Sequence, residues 1–251
     1  MVTSAEELYY RRYLNDVAGV AGSAESSIAD SLSVVDPLNS NGLGYKWIQG
    51  NKFFTGSVIA PIDWTFASIV TSTKPGDGQL CLAWSIGGPT NPQRNLRGFV
   101  LPLNIYVACL GQTQYVQCTN VYTTGVAGQG TILAGLAVQF YGATKKINAY
   151  IFYINTDNHN WTLSRYNNDV ETILATGGPT VDGDIFRLSS QVSSGQVDIT
   201  VNKNNSLLAS YTDISASRLN YGSPALIMVQ ATKGSGSPHS EWRTFSAGIG
   251  I

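Results

Sequence analysis

The chain has 251 residues, enough for one large β-domain, and 15 Lys and Arg against 16 Asp and Glu leave a formal net charge of −1, which excludes the basic stripe of a nucleic-acid binder. Charged residues are 12% of the sequence, about half the usual share, so the surface must be made of Ser, Thr, Asn, Gln and Gly. No run of roughly 18 apolar residues occurs, so no membrane insertion is expected, and Met1-Val-Thr-Ser-Ala-Glu-Glu7 has neither the basic nor the apolar part of a secretory leader.

Residues 4 to about 21 carry the helical signal. Ser4 followed by Glu7 fits a capping box, and Glu6 and Glu7 suit the positive end of the helix dipole. Tyr10, Tyr13, Leu14, Val17, Val20 and Ala21 recur at helical spacing and make one apolar stripe. A helix this short must pack on something: its own domain, or a partner or second copy, for which Tyr10, Tyr13, Leu14 and Val17 are the candidate attachment or self-assembly residues. Residues 23 to 33 are small and polar and read as a linker or a second short helical turn, with the domain boundary placed here. The expected organisation is therefore a helical arm and linker over 1–33 and a β-domain over 34–251.

From Val34 onward the pattern turns to period two with Gly, Pro and Asn between short runs. The predicted strands are Tyr45–Gln49, Lys52–Ile59, Trp64–Thr71, Gln79–Ile86, Gly98–Ala108, Gln114–Tyr122, Ile132–Tyr141, Ile147–Asn155, Trp161–Tyr166, Glu171–Ala175, Ile185–Gln191, Gln196–Val201, Ser206–Tyr211, Ala225–Gln230 and Trp242–Ala247. So many short strands separated by turn signals predict an all-β antiparallel sandwich. In Val197-Asp-Ile-Thr-Val201 the three apolar residues share one face and Asp198 and Thr200 the other, as two sheets packed face to face require. Phe186 and Leu188 belong to the same interior, and Arg187 is expected to point outward. Cys81, Cys109 and Cys118 cannot all pair within one chain and are expected as buried thiols. Cys109 and Cys118 flank a predicted turn, which leaves a bridge between them open. An odd cysteine count without a leader predicts folding in a reducing cytosol.

Several segments together carry a family likeness. Ile132-Leu-Ala-Gly-Leu-Ala-Val-Gln-Phe-Tyr141 is followed by Asn148-Ala-Tyr-Ile-Phe-Tyr-Ile-Asn155, Trp161-Thr-Leu-Ser-Arg165 and Thr172-Ile-Leu-Ala-Thr176. Then come Asp184-Ile-Phe-Arg-Leu188, Ile199-Thr-Val-Asn202, Tyr211-Thr-Asp213 and Trp242-Arg-Thr-Phe245. The series resembles the laminin-G-like, concanavalin-A-like jelly-roll domain over residues 34–251, strongly from 132 to 213 and weakly from 60 to 130. Asn41-Gly-Leu-Gly-Tyr-Lys-Trp47 followed by Gly50 is similar to the start of phage-encoded versions. One departure stands at the second hairpin, where Asn202-Lys-Asn-Asn205 replaces the family's Asn-Gly and predicts a slightly longer loop.

The resemblance implies a jelly-roll β-sandwich with a short N-terminal helical arm, acting as a virion structural protein: a bacteriophage decoration, fibre or minor tail component, made in the host cytoplasm. Its expected partners are other virion proteins, further copies of itself (trimers are common among such appendages) and a host surface glycan. The alternatives are a dedicated carbohydrate-binding adhesin and a glycoside hydrolase. Trp161, Tyr166, Asn167 and Asn168 are the candidate glycan contacts, although Trp161 also reads as core and the other three as a turn. Glycoside hydrolysis needs paired carboxylates, whereas Glu is confined to Glu6, Glu7, Glu25, Glu171 and Glu241, and Asp182 and Asp184 read as turn residues; no enzyme is expected. No cofactor is expected either. The family's structural calcium would draw on Asp157, Asn158, Asp169 and Asp182, a sparse set for an ion that takes six to eight oxygens. His159 and His239 lie in polar loops without zinc-ligand spacing.

Overall fold

The computed structural model describes residues 32–36, 47–53, 67–71, 80–84, 96–102, 113–121, 132–141, 148–155, 158–231 and 241–249. They form two antiparallel sheets. The eight-stranded sheet contains β1 (Leu32–Asp36), β3 (Ala67–Thr71), β4 (Leu80–Trp84), β6 (Gln114–Val121), β11 (Ile185–Ser193), β12 (Gln196–Lys203), β13 (Ser206–Asp213) and β15 (Glu241–Ile249). The seven-stranded sheet contains β2 (Trp47–Phe53), β5 (Leu96–Pro102), β7 (Ile132–Tyr141), β8 (Asn148–Asn155), β9 (Trp161–Asn167), β10 (Val170–Gly177) and β14 (Ser223–Ala231). The first sheet runs β13-β12-β11-β6-β15-β4-β3, with β1 sharing the β4 side of β15; the second runs β10-β9-β8-β7-β14-β5-β2. The all-β sandwich is as expected. The predicted helical arm, with Tyr10, Tyr13, Leu14 and Val17, lies outside the described residues.

Period-two patterning builds the interior. On β12, Val197, Ile199 and Val201 are buried while Asp198 and Thr200 are partly exposed. Phe186 and Leu188 of β11, Val116 and Cys118 of β6, and Trp242 and Ala247 of β15 complete that wall. Facing them are Leu136 and Val138 of β7, Tyr150, Phe152 and Ile154 of β8, and Trp161 and Leu163 of β9. The Phe152 ring sits 5.0 Å from Phe186 and 5.9 Å from Trp161, both tilted, within the range of favourable aromatic pairs. Full burial of each large apolar side chain contributes about 1.5–3 kcal/mol. Cys118 is a buried free thiol in this core; Cys109 lies outside the described residues. Gly135, the glycine of the β7 motif, is required by close approach, because a Cβ there would collide with the Phe152 carbonyl of β8.

Three residues distant in sequence meet inside the sandwich. Tyr150 on β8 and Arg165 on β9 belong to the seven-stranded sheet, and Asp213 ends β13 in the other. The Asp213 side chain is fully buried; its Oδ2 accepts the Tyr150 hydroxyl at 2.7 Å and pairs with Arg165 Nη1 at 2.7 Å. Its Oδ1 accepts the Ser215 amide at 2.9 Å, and the Leu219 amide donates to the Tyr150 hydroxyl at 3.0 Å. The carboxylate thus joins the sheets and pins the 214–222 loop to their edge.

A second cluster sets the β12–β13 hairpin. Asn204 and Asn205 take φ of 51° and 66°, and Lys203 pairs directly with Ser206. The loop is therefore a tight two-residue turn, and the longer one expected from sequence is corrected: consecutive asparagines tolerate positive φ. Asn204 Oδ1 accepts the Ile185 amide at 2.8 Å, and its Nδ2 donates to Asp184 Oδ1 at 2.9 Å. Asp184 also accepts the Val181 amide and pairs with Lys203 at 2.8 Å. Burial alone would push the Asp184 carboxyl up, but these contacts outweigh it and hold it below its usual range.

Other differences sit at element ends. β1 begins at Leu32, inside the segment read as linker, and β2 runs unbroken through Gly50 and Asn51, where two strands were expected.

Asp213 carries a pH signature. Burial raises its pKa, but hydrogen bonds from Ser215, Tyr150 and Arg165 prevail and lower it. A carboxylate depressed on folding stabilises the native state above its unfolded value near pH 4, and that contribution disappears as pH falls through the folded value. Urea unfolding is expected to show this loss below about pH 4 in the wild type and not in Asp213→Asn. At pH 7, Asp213→Leu is expected to cost about 3 kcal/mol by stranding Arg165, and adding Arg165→Met to recover most of it.

Candidate functional site

The outer face of the seven-stranded sheet is assembled by the alternate residues of its strands. Ala149, Ile151 and Tyr153 of β8 point away from the sandwich interior, as do Ala137 of β7 and Ala225 and Ile227 of β14. On β9 the outward residues are Thr162, Ser164 and Tyr166; on β10 they are Glu171, Ile173 and Thr176, the last kept outward by the bulge between Ile173 and Ala175. Burial is graded across this face. Ala137, Ile151, Ala225 and Ile227 are fully buried and Tyr153 nearly so, whereas Glu171, Ile173 and Thr176 on the end strand are exposed.

Glu171 stands out chemically. It is the single acidic residue in any strand of this sheet. Its Oε1 accepts the Ser164 hydroxyl at 2.7 Å and the Tyr153 hydroxyl at 3.0 Å, so two donors rooted in buried residues of β9 and β8 fix its plane. Its Oε2 takes no hydrogen bond from the described residues. Burial pushes the Tyr153 phenol up, and the Glu171 charge and hydrogen bond push it the same way, against a smaller lowering by Thr162 and Ser164. Tyr153 therefore stays a neutral donor. Beside the carboxylate, Ile173 is 60% exposed and offers an apolar patch on the same strand face. The arrangement, an anchored acceptor next to an apolar platform, suits an amphipathic ligand with hydroxyl donors.

The sequence-selected glycan contacts are placed apart. Trp161 is buried against Phe152 in the sandwich core, so its ring has no free face. Tyr166 is also buried, on the opposite face of β9 and about 16 Å further along the strand. Asn167 pairs with Val170 to close a two-residue turn in which Asn168 and Asp169 have φ of 50° and 72°. Its Nδ2 donates to the Ser217 carbonyl at 3.3 Å, and the Asn168 amide donates to Asn148 Oδ1 at 2.8 Å. The four do not make one patch. Of the calcium candidates, Asp169 lies in the β9–β10 turn, while the segments bearing Asn158 and Asp182 meet where the Thr180 amide donates to the His159 carbonyl at 2.8 Å; Asp157 is outside the described residues. Among the described residues no group of three His, Cys, Asp or Glu could hold a metal ion. Sequence reading missed Tyr153, Ser164 and Glu171 as a cluster. The signal available was the β9–β10 turn: a two-residue loop at Asn168-Asp169 sets Tyr166 opposite Glu171 and Ser164 opposite Ile173, which leaves Ser164 and Glu171 diagonal neighbours.

The backbone is similar to those of several solved proteins. One is the β-glucanase of Bacillus licheniformis (TM-score 0.52, 11% identity, covering 86% of this chain and 97% of that one). Another is a native glycosidic hydrolase (TM-score 0.50, 10% identity, 88% and 96%). A third is a protein of unknown function with a galectin-like fold from Bacillus subtilis (TM-score 0.50, 11% identity, 85% and 94%). At such identities the likeness is one of fold. No family model and no curated protein matches the sequence. The described residues thus have an all-β, antiparallel jelly-roll sandwich fold, concanavalin-A-like in architecture.

Proposed function

We propose that this chain is a carbohydrate-binding sandwich carried on a virion, where the β10 strip of the seven-stranded sheet grips host-surface glycans. The observation that carries the binding reading is Glu171, an exposed carboxylate oriented by two hydroxyls and bordered by exposed Ile173. An ionised carboxylate accepts hydroxyl donors strongly, at about 1.5–3 kcal/mol per charged hydrogen bond. Ile173 covers the apolar flank of a sugar ring, and Thr176 adds a hydroxyl. The virion setting rests on the low-charge surface and on the phage-type segment at Asn41–Trp47. A decoration, fibre or minor tail role would use this grip for adhesion.

Binding is favoured over hydrolysis on one ground. Glycoside hydrolysis with two carboxylates needs them about 5–10 Å apart, and the strands of this sheet provide Glu171 alone. The two readings separate on a glycan array followed by an assay for released reducing ends. Binding without turnover is expected. Glu171→Gln should weaken the best glycan about tenfold or more while leaving the urea midpoint near that of the wild type. Failure of every neutral glycan to bind, or an unaltered affinity in Glu171→Gln, would sink the proposal.

The same variant has a spectroscopic consequence. Removing the Glu171 charge removes one of the three causes that raise the Tyr153 phenol, the others being burial and the hydrogen bond to Glu171. In a protein labelled at tyrosine Cζ, the Tyr153 carbon resonance is expected to titrate at lower pH in Glu171→Gln than in the wild type, still above a free tyrosine because burial persists.

A further inference from the structure

The opposite side of the molecule carries an independent feature. Along β6, Val116 and Cys118 are buried while Tyr115, Gln117 and Thr119 point outward and are partly exposed. Along β11, Arg187 and Ser189 point outward between buried Phe186, Leu188 and Ser190. Asp198, Thr200 and Asn202 do the same on β12. The outer face of the eight-stranded sheet is thus a field of hydroxyls and amides with a cation in it. Arg187 stands directly between Gln117 and Asn202 in register, and its Cζ lies 3.8 Å from the centroid of the Tyr115 ring.

Arg187 differs from Arg165, Lys203 and Arg218. Arg165 pairs with Asp213, Lys203 with Asp184, and Arg218 donates to the Ser215 carbonyl. Arg187 makes no hydrogen bond or ion pair among the described residues; its contact is the ring. Asp198, the carboxylate described on this face, already accepts Thr212 at 2.6 Å and Gln196 at 2.9 Å. It stands opposite Gln191, four residues along β11 from Arg187. The ring therefore holds a guanidinium whose donor edges remain open. Stacking restricts the long side chain in advance, which reduces the ordering cost of forming further bonds.

We infer that Arg187 on its Tyr115 platform is a binding site for a carboxylate-bearing saccharide. The planar fork matches a carboxylate bidentately. Gln117, Asn202, Thr119 and Ser189 supply the neutral donors and acceptors that sugar hydroxyls need. A stacked guanidinium among hydroxyls and amides, with the described carboxylate Asp198 already bonded and set opposite Gln191, fits a ligand with single, spaced carboxylates, such as a uronate or sialate chain. A polyanionic peptide would call for a cluster of cations. The site lies on the other sheet from Glu171 and does not depend on it.

The test uses the full chain and calorimetry with three probes: trigalacturonate, its methyl ester and 3′-sialyllactose. Binding of at least one free acid is expected, with the methyl ester at least tenfold weaker than its parent if trigalacturonate is the one bound. Arg187→Gln should reduce that binding tenfold or more, Arg187→Lys should restore part of it, and Tyr115→Leu should weaken it several-fold, each at an unchanged circular-dichroism spectrum. Glu171→Gln should leave it unaltered, which separates this site from the one on β10. Equal affinity for acid and ester, silence with all three probes, or an intact response in Arg187→Gln would overturn the inference. So would tighter, Arg187-dependent binding of hexa-aspartate, which would assign the site to an acidic protein surface.

Discussion

A buried carboxylate, Asp213, ties the two sheets together, and Gln139 of β7 adds a second polar bridge through Gln114 of β6 and Ser190 of β11. The greasy faces of β8, β9, β11 and β12 attract each other without direction, because hydrophobic burial specifies area and not alignment. Asp213 adds the alignment. Its Oδ2 can meet both the Tyr150 hydroxyl and the Arg165 guanidinium in one relative placement of the sheets, and its Oδ1 fixes where the chain turns after β13. A buried charge left unpaired costs several kcal/mol, so any slip of one sheet along the other is penalised at this point. The same contact closes the sandwich at the edge where β10 and β13 end their sheets.

That edge also explains where ligand chemistry is available. The centre of the seven-stranded sheet's outer face is buried at Ala137, Ile151 and Ile227, and among the described side chains of that face Glu171, Ile173 and Thr176 of β10 are exposed. Glu171 gains its fixed pose because the residues beneath it, Tyr153 and Ser164, are held in neighbouring strands, a rigid support of the kind that binding sites need. The eight-stranded sheet differs: its outer side chains are partly exposed across several strands, and Arg187 is ordered by an aromatic ring instead of by a hydrogen-bond network. The two faces thus offer opposite charges, an anchored anion on one and a stacked cation on the other.

Much of this was readable from residue order. Ile132–Tyr141 is a strand with the expected bounds, and the alternation of Val197, Ile199 and Val201 placed the interior correctly, because period two is a local property of the chain. β1 was not legible: Leu32–Asp36 pairs with Ile249–Phe245, and a partner more than two hundred residues away leaves no local mark. Gly50 and Asn51 read as a turn, yet β2 passes through them because β5 pairs with both. Trp161 was seen as either sugar platform or core, and packing against Phe152 places it in the core. Glu171 was counted among the glutamates but not assigned, since its meaning comes from Ser164 and Tyr153 on two other strands.

The pairing of β1 with β15 has a mechanical consequence. Leu32 lies opposite Ile249, so the N-terminal end of β1 sits beside the end of β15, on the order of 25 Å across the sheet from β13, five strand spacings away. If the chain is held at that end, tension drawn along β1 would load all five of its registered pairs at once, in shear, instead of peeling them open one after another. A short strand in that geometry resists force better than its length suggests.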